Sequence, residues 1–201
     1  MKRDKKENSI EKGFCFFYGL MRPLGIFLWL FPACLLIFTQ TAMASSADKP
    51  GFEAIPGFEL GIAGGSSFNG HGSAQGLLLA AFQKPVFPNF LLRVEPTFEY
   101  MNAKGDVLYA GGASLVARKL APYKGIMPFV DLGGGLNYIS QNHFAGRELG
   151  GNFMFDLILG GGFYLTRNIS LSYRYRHLSN SGIFDHNEGI DSYYILLGIG
   201  E

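Results

Sequence analysis

The side chains of this sequence best suited to chemistry stand in two neighbouring segments. They are Tyr173-Arg174-Tyr175-Arg176-His177-Leu178-Ser179-Asn180-Ser181-Gly182 and Asn187-Glu188-Gly189-Ile190-Asp191-Ser192-Tyr193-Tyr194. In an extended chain successive side chains point to opposite faces, so His177 and Ser179 share one face. A serine hydroxyl is a poor nucleophile until an imidazole takes its proton. The imidazole works better when a carboxylate fixes its tautomer and stabilises its charge. Asp191 is the expected carboxylate, and Glu188, three residues earlier, is the second choice. Acyl transfer also needs hydrogen-bond donors for a developing oxyanion, and the connection between the two segments offers the side-chain amides of Asn180 and Asn187 and the accommodating backbone of Gly182. A His-x-Ser pair alone means little, because both residues often end strands merely to reach water or a headgroup. The joint pattern is more specific: shared parity, a following asparagine, a glycine-bearing loop, and a carboxylate that restarts an apolar alternation.

These residues need strands to hold them. Ile169, Leu171, Tyr173 and Tyr175 alternate with Ser170, Ser172, Arg174 and Arg176, a period of two. Asp191 has the parity of Tyr193, Ile195, Leu197 and Ile199, so all three candidate residues are expected on the apolar face. Strands are expected at Gly57–Gly65, Ala74–Lys84, Phe90–Met101, Asp106–Lys119, Ile126–Ile139, Gly151–Leu165, Ile169–Ser179 and Asp191–Gly200. Compact breaks at Pro85–Asn89, Pro122–Gly125 and Thr166–Asn168 mostly alternate with longer polar connections at Ser66–Ser73, Ser140–Gly150 and Asn180–Ile190, with short Asn102–Gly105 as the exception. No stretch after residue 45 approaches the ~20 apolar residues of a membrane helix, and no helical period stands out. The expected fold is therefore all-β: an eight-stranded antiparallel up-and-down transmembrane β-barrel, closed because lipid cannot satisfy an open sheet edge. Its apolar face turns to lipid. The lumen then takes Arg174 and Arg176, for which Glu95, Glu99 and Asp156 are candidate partners. Glycine runs 133–135 and 160–162 suit a narrow, curved wall. With both termini on the periplasmic side, the His177, Ser179 and Asp191 patch lies near the outer rim, and a site on that wall faces a lipid substrate.

Composition is consistent with one such domain behind a targeting segment: 201 residues, 48% hydrophobic and 15% aromatic. Lys2, Arg3, Lys5, Lys6, Lys12 and Arg22 precede an apolar run from Leu24 to Phe38 and the small residues Ala42 and Ala44. This reads as a signal peptide over residues 1–44 with cleavage after Ala44, and a retained N-terminal anchor is the competing reading. The barrel domain is then 45–201. Removing the signal takes six of the 17 basic and three of the 16 acidic residues, leaving 11 against 13 and a net charge of −2, which disfavours nucleic acid as a partner. Cys15 and Cys34 both fall within the signal, so chemistry in the mature chain falls to oxygen or nitrogen nucleophiles. His71, His143 and His186 lack paired-ligand spacing and read as solvated loop residues; no metal and no cofactor is expected.

The run His177-Leu178-Ser179-Asn180, with Asn187-Glu188-Gly189-Ile190-Asp191-Ser192-Tyr193, resembles the signature of the lipid A 3-O-deacylase (PagL) family of eight-stranded outer-membrane barrels. The resemblance implies a serine esterase that releases the ester-linked hydroxyacyl chain at the 3-position of lipid A, with lipopolysaccharide as substrate, His177 as base and Ser179 as nucleophile. Its motif spans the last two strands. Two departures stand beside it: the family often places glutamate where this chain has Asp191, and the ending Gly198-Ile199-Gly200-Glu201 lacks a terminal aromatic. Oligomeric state is left open, a homodimer included. A structural or adhesive barrel without enzymatic activity, and a soluble lipocalin-type barrel with apolar side chains inside, are the competing classes.

Overall fold

Alternating side chains leave this chain no way to bury one face except by curling the sheet on itself, and the computed structural model, which describes residues 55–67, 73–121 and 127–201, has that form. The expected signal peptide, its cleavage site and His71 lie outside the described residues. The long strands are β1 Phe58–Ser67, β2 Ala74–Phe87, β3 Phe90–Ala103, β4 Asp106–Leu120, β5 Met127–Ile139, β8 Phe153–Tyr164, β9 Ile169–Ser179 and β10 Ile190–Gly200. They close in the order β1-β10-β9-β8-β5-β4-β3-β2, every pair antiparallel. At 10 to 15 residues they are long enough for a tilted membrane crossing.

The eight expected strands are all present, with ends displaced by a few residues. The addition is a two-stranded hairpin, β6 His143–Phe144 and β7 Arg147–Glu148, within a segment expected to be a polar connection. Its turn residues Ala145 and Gly146 have φ of 53° and 78°, the left-handed pair that a tight hairpin turn requires. Phe144 and Leu149 are buried, which is why the segment folds back instead of standing in solvent. With Leu108, Ile139, Leu178 and Ile190 they form an apolar cluster at the rim that carries the 180–189 connection, hereafter the upper rim. Leu91, Leu120, Phe129 and Tyr164 form a second cluster at the opposite rim.

Between these clusters the lumen combines an apolar patch of Ala63, Leu77, Leu79, Ala81, Tyr194 and Leu196 with an ionic network. Arg93, Arg118, Arg174 and Arg176 are all at most 1% exposed. Arg174 donates to Glu95 at 2.6 Å and to Asp131 at 3.1 Å. Arg176 meets Glu99 at 2.5 Å, Asp156 at 2.7 Å and the Asn137 side-chain oxygen at 2.7 Å. Arg118 grips Asp131 with two bonds of 2.8 and 2.9 Å and lies 3.6 Å from the centre of the Phe129 ring. Arg93 bridges Glu59 and Glu95. The acids expected for Arg174 and Arg176 are thus their partners, and Glu59 and Asp131 complete the set. The wall is drawn in tightly: a Cβ on Gly135 or Gly162 would stand 2.2 Å from the carbonyl oxygen of Ala113 or Leu171 on the next strand.

The opposite faces carry Leu60, Ile62, Leu78, Leu115, Leu132, Leu136, Ile195 and Ile199, each more than half exposed. Apolar outside and charged inside is the reverse of a soluble ligand-binding barrel, and matches a lipid-facing wall. Removing one member of a buried ion network leaves its partners desolvated, at a cost of about 3–5 kcal/mol. Glu95→Ala, which strips Arg93 and Arg174 of a shared acceptor, should therefore lower stability by about 3 kcal/mol in urea titrations of the detergent-solubilised barrel followed by the heat-dependent gel shift. A loss below about 1 kcal/mol would mean that the network is not a stabilising unit.

Candidate functional site

Pairing of β9 with β10 places His177 directly opposite Asp191, with Ile190 opposite Leu178. Leu178 and Ile190 point inward to the upper apolar cluster, so His177, Ser179 and Asp191 turn outward, as their parity predicts. His177 Nδ1 lies 2.7 Å from Asp191 Oδ1. A carboxylate oxygen accepts, so Nδ1 carries the proton, and in the neutral ring Nε2 is then the nitrogen with the lone pair that a general base needs. The same Oδ1 accepts a hydrogen bond from Tyr175 Oη at 2.5 Å. With side-chain exposures of 24% and 28%, His177 and Asp191 are sheltered yet reachable from the lipid side.

Ser179 pairs with Phe155 of β8 and is half-buried on the same wall. On its other side β10 has not yet begun; the chain there is Gly189, one step beyond the Ile190–Leu178 pair and so level with Ser179. A Cβ on Gly189 would lie 2.8 Å from His177 Cε1 and 3.3 Å from Nε2. The absent side chain therefore makes room for the edge of the ring that carries Nε2, at the height of Ser179. Arg147 of β7 donates to the Gly189 carbonyl and holds this segment in place.

The connection that follows Ser179 is built around Asn180, which is fully buried. Its Nδ2 donates to the carbonyls of Leu149 at 2.8 Å and His186 at 2.5 Å, its Oδ1 accepts from Gly182 N at 2.8 Å, and its own N–H donates to Asn187 Oδ1 at 2.9 Å. Ile183 N returns to the Asn180 carbonyl at 3.1 Å across Ser181 and Gly182, whose φ values of 54° and 78° are those of a tight turn with left-handed central residues. Two of the expected oxyanion donors are accordingly committed: Asn180 has no donor to spare, and the Gly182 N–H is bonded to Asn180. Asn187 is exposed, and the bond from Asn180 uses its side-chain oxygen and not its amide nitrogen. The carboxylate of Glu188 is turned elsewhere, accepting from Glu148 N at 2.8 Å. His143 and His186, both well exposed, sit 3.4 and 3.1 Å from the two oxygens of Glu148. Among the described residues no group of His, Cys, Asp and Glu is arranged to hold a metal ion.

The β6–β7 hairpin thus braces the loop next to Ser179 through Arg147, Glu148 and Leu149. Neither Arg147 nor Tyr175 stands out in the sequence. Tyr175 belongs to a row of wall aromatics, and only its register two residues before His177, diagonal to Asp191, marks it. If Asn180 holds the loop, Asn180→Ala should make the 181–189 segment readily cleaved by protease added to the detergent-solubilised barrel and lower any activity of the site by about 10- to 100-fold. Reduced activity with unchanged protease resistance would instead fit a direct contact with substrate.

The family model described as lipid A 3-O-deacylase (PagL) matches residues 76–199, from β2 to the end of β10, and so includes every side chain just described. The chain belongs to the lipid A 3-O-deacylase family. A curated relative, lipid A deacylase PagL of Bordetella bronchiseptica (strain ATCC BAA-588 / NCTC 13252 / RB50), is 36% identical over 63 residues, 31% of this chain and 35% of that protein. The match therefore spans about a third of the relative's length. Among solved structures, the crystal structure of the outer membrane enzyme PagL superposes with a TM-score of 0.64 at 21% identity, covering 71% of this chain and 99% of that one. This likeness shows a shared fold, the closed eight-stranded barrel of an outer-membrane protein.

Proposed function

We propose that this chain is a lipid A 3-O-deacylase of the outer membrane, hydrolysing the ester that links a 3-hydroxyacyl chain to the 3-position of lipid A, with His177, Ser179 and Asp191 as its machinery. The observation that carries the reading is the His177–Asp191 hydrogen bond on the lipid-facing wall beside Ser179. An ester hydrolase that faced water would have no reason to place these groups outside the barrel. The family of the chain and the deacylase named as its relative supply the substrate.

The chemistry follows from the residues. Ser179 Oγ adds to the ester carbonyl while His177 Nε2 takes its proton, and Asp191 stabilises the resulting imidazolium. The negative charge moves to the former carbonyl oxygen, for which the Asn187 side-chain amide is the donor we assign. Collapse of the adduct breaks the bond to the sugar oxygen, which leaves with the proton from His177, and the acyl chain remains on Ser179. Water, deprotonated by the same imidazole, then releases the 3-hydroxy fatty acid. Export through the cleavable segment 1–44, with both termini in the periplasm, would set the upper rim at the outer leaflet, where lipid A resides.

Mass spectrometry of lipid A from cells with and without the expressed chain tests this. The expected result is a species lighter by one hydroxyacyl group, together with free 3-hydroxy fatty acid. An unchanged acylation pattern with the barrel assembled in the outer membrane would defeat the proposal.

A further inference from the structure

The phenol of Tyr175 is placed to steer the acid of the site. Its ring lies on the outward face of β9, opposite Tyr193 and diagonal to Asp191. Tyr193 packs against it at 5.4 Å between ring centres, and against Tyr173 on the other side at 5.7 Å. So held, the Tyr175 hydroxyl reaches Asp191 Oδ1 at 2.5 Å, the oxygen that His177 Nδ1 approaches at 2.7 Å. Two donors from neighbouring positions of one strand thus converge on one oxygen of the opposite strand. An aspartate on an apolar wall with a single partner can turn about its terminal torsion, which is broad and roughly two-fold. A second donor on the same atom takes that freedom away. It also shares the negative charge in surroundings where water does not, and hydrogen bonds to charged groups are among the stronger ones.

We infer that Tyr175 is a positioning residue, which acts through Asp191 to hold the His177 imidazole with Nε2 directed at Ser179. This rests on the catalytic reading of His177, Ser179 and Asp191 given above. Acting through Asp191 and not on the ester, Tyr175 should show its effect in turnover, with the apparent KM unchanged.

The test uses the full-length barrel in detergent micelles with purified lipid A. Tyr175→Phe keeps the ring, its packing and the apolar wall, and is expected to lower kcat about 10- to 100-fold at unchanged KM. In an Asp191→Asn background, assayed with enzyme in excess, the same substitution should bring no further loss, because the carboxylate through which it acts is gone. Tyr175→Leu, which suits the lipid face equally well, should repeat the result, and serves if the phenylalanine protein assembles poorly. Wild-type turnover by Tyr175→Phe, or an equal loss with and without the Asp191 carboxylate, would overturn the inference while an inactive Ser179→Ala protein left the catalytic reading intact. An active Ser179→Ala protein would overturn both.

Discussion

Ser179→Ala is expected to cut release of 3-hydroxy fatty acid from lipid A by about 10^4-fold or more, while the protein still assembles as a barrel. The size follows from the role: the serine forms the bond to the acyl group, and without it the site retains only binding and oxyanion stabilisation for a direct attack by water. Assembly should survive because Ser179 contributes no inward side chain to the ionic lumen or to the upper apolar cluster. An alanine keeps the strand's pairing with Phe155. The measurement is fatty acid released per barrel, with the heat-dependent gel shift to certify the fold. Activity within tenfold of wild type would rule out Ser179 as the nucleophile.

The second large effect separates two carboxylates three residues apart. Asp191→Asn should lower turnover by about 10^3- to 10^4-fold, because an amide in that position no longer secures the Nδ1–H tautomer of His177 and cannot stabilise its positive form. Glu188→Gln should change it less than about threefold, since the Glu188 side chain accepts from the Glu148 backbone and an amide oxygen can do the same. The contrast depends on the pairing of β9 and β10, which sets Asp191 and not Glu188 across from His177. The opposite order of effects would hand the acid's role to Glu188 and require the loop to rearrange.

Much of this arrangement was legible in the amino-acid order because a strand has a period of two. Once Ile169 to Tyr175 are read as a lipid-facing row, His177 and Ser179 must continue it, and Asp191 begins a matching row on the next strand. The same parity sends Arg174 and Arg176 inward to Glu95, Glu99 and Asp156. Glu59 and Asp131 escaped notice since a lone acid in an apolar run shows its face only when the neighbouring strands are paired. The β6–β7 hairpin is two residues per strand, too short for any period to register. The hydrogen-bond partners of Asn180 are hidden in the sequence for a related reason. Its chemistry suits an oxyanion donor, but its amide is spent on Leu149 and His186, and the first of these is distant in sequence. Tyr175 reads as one more aromatic of the wall until the carboxylate opposite it is known.

The packed interior has a consequence for the cell that carries this protein. Four arginines with essentially no exposure leave no gap the width of a water molecule beside them, and apolar clusters lie toward both rims. If the chain acts on lipid A as proposed, a bacterium could therefore make many copies without adding a leak for ions, nutrients or antibiotics. The permeability barrier would change only through the altered lipid itself.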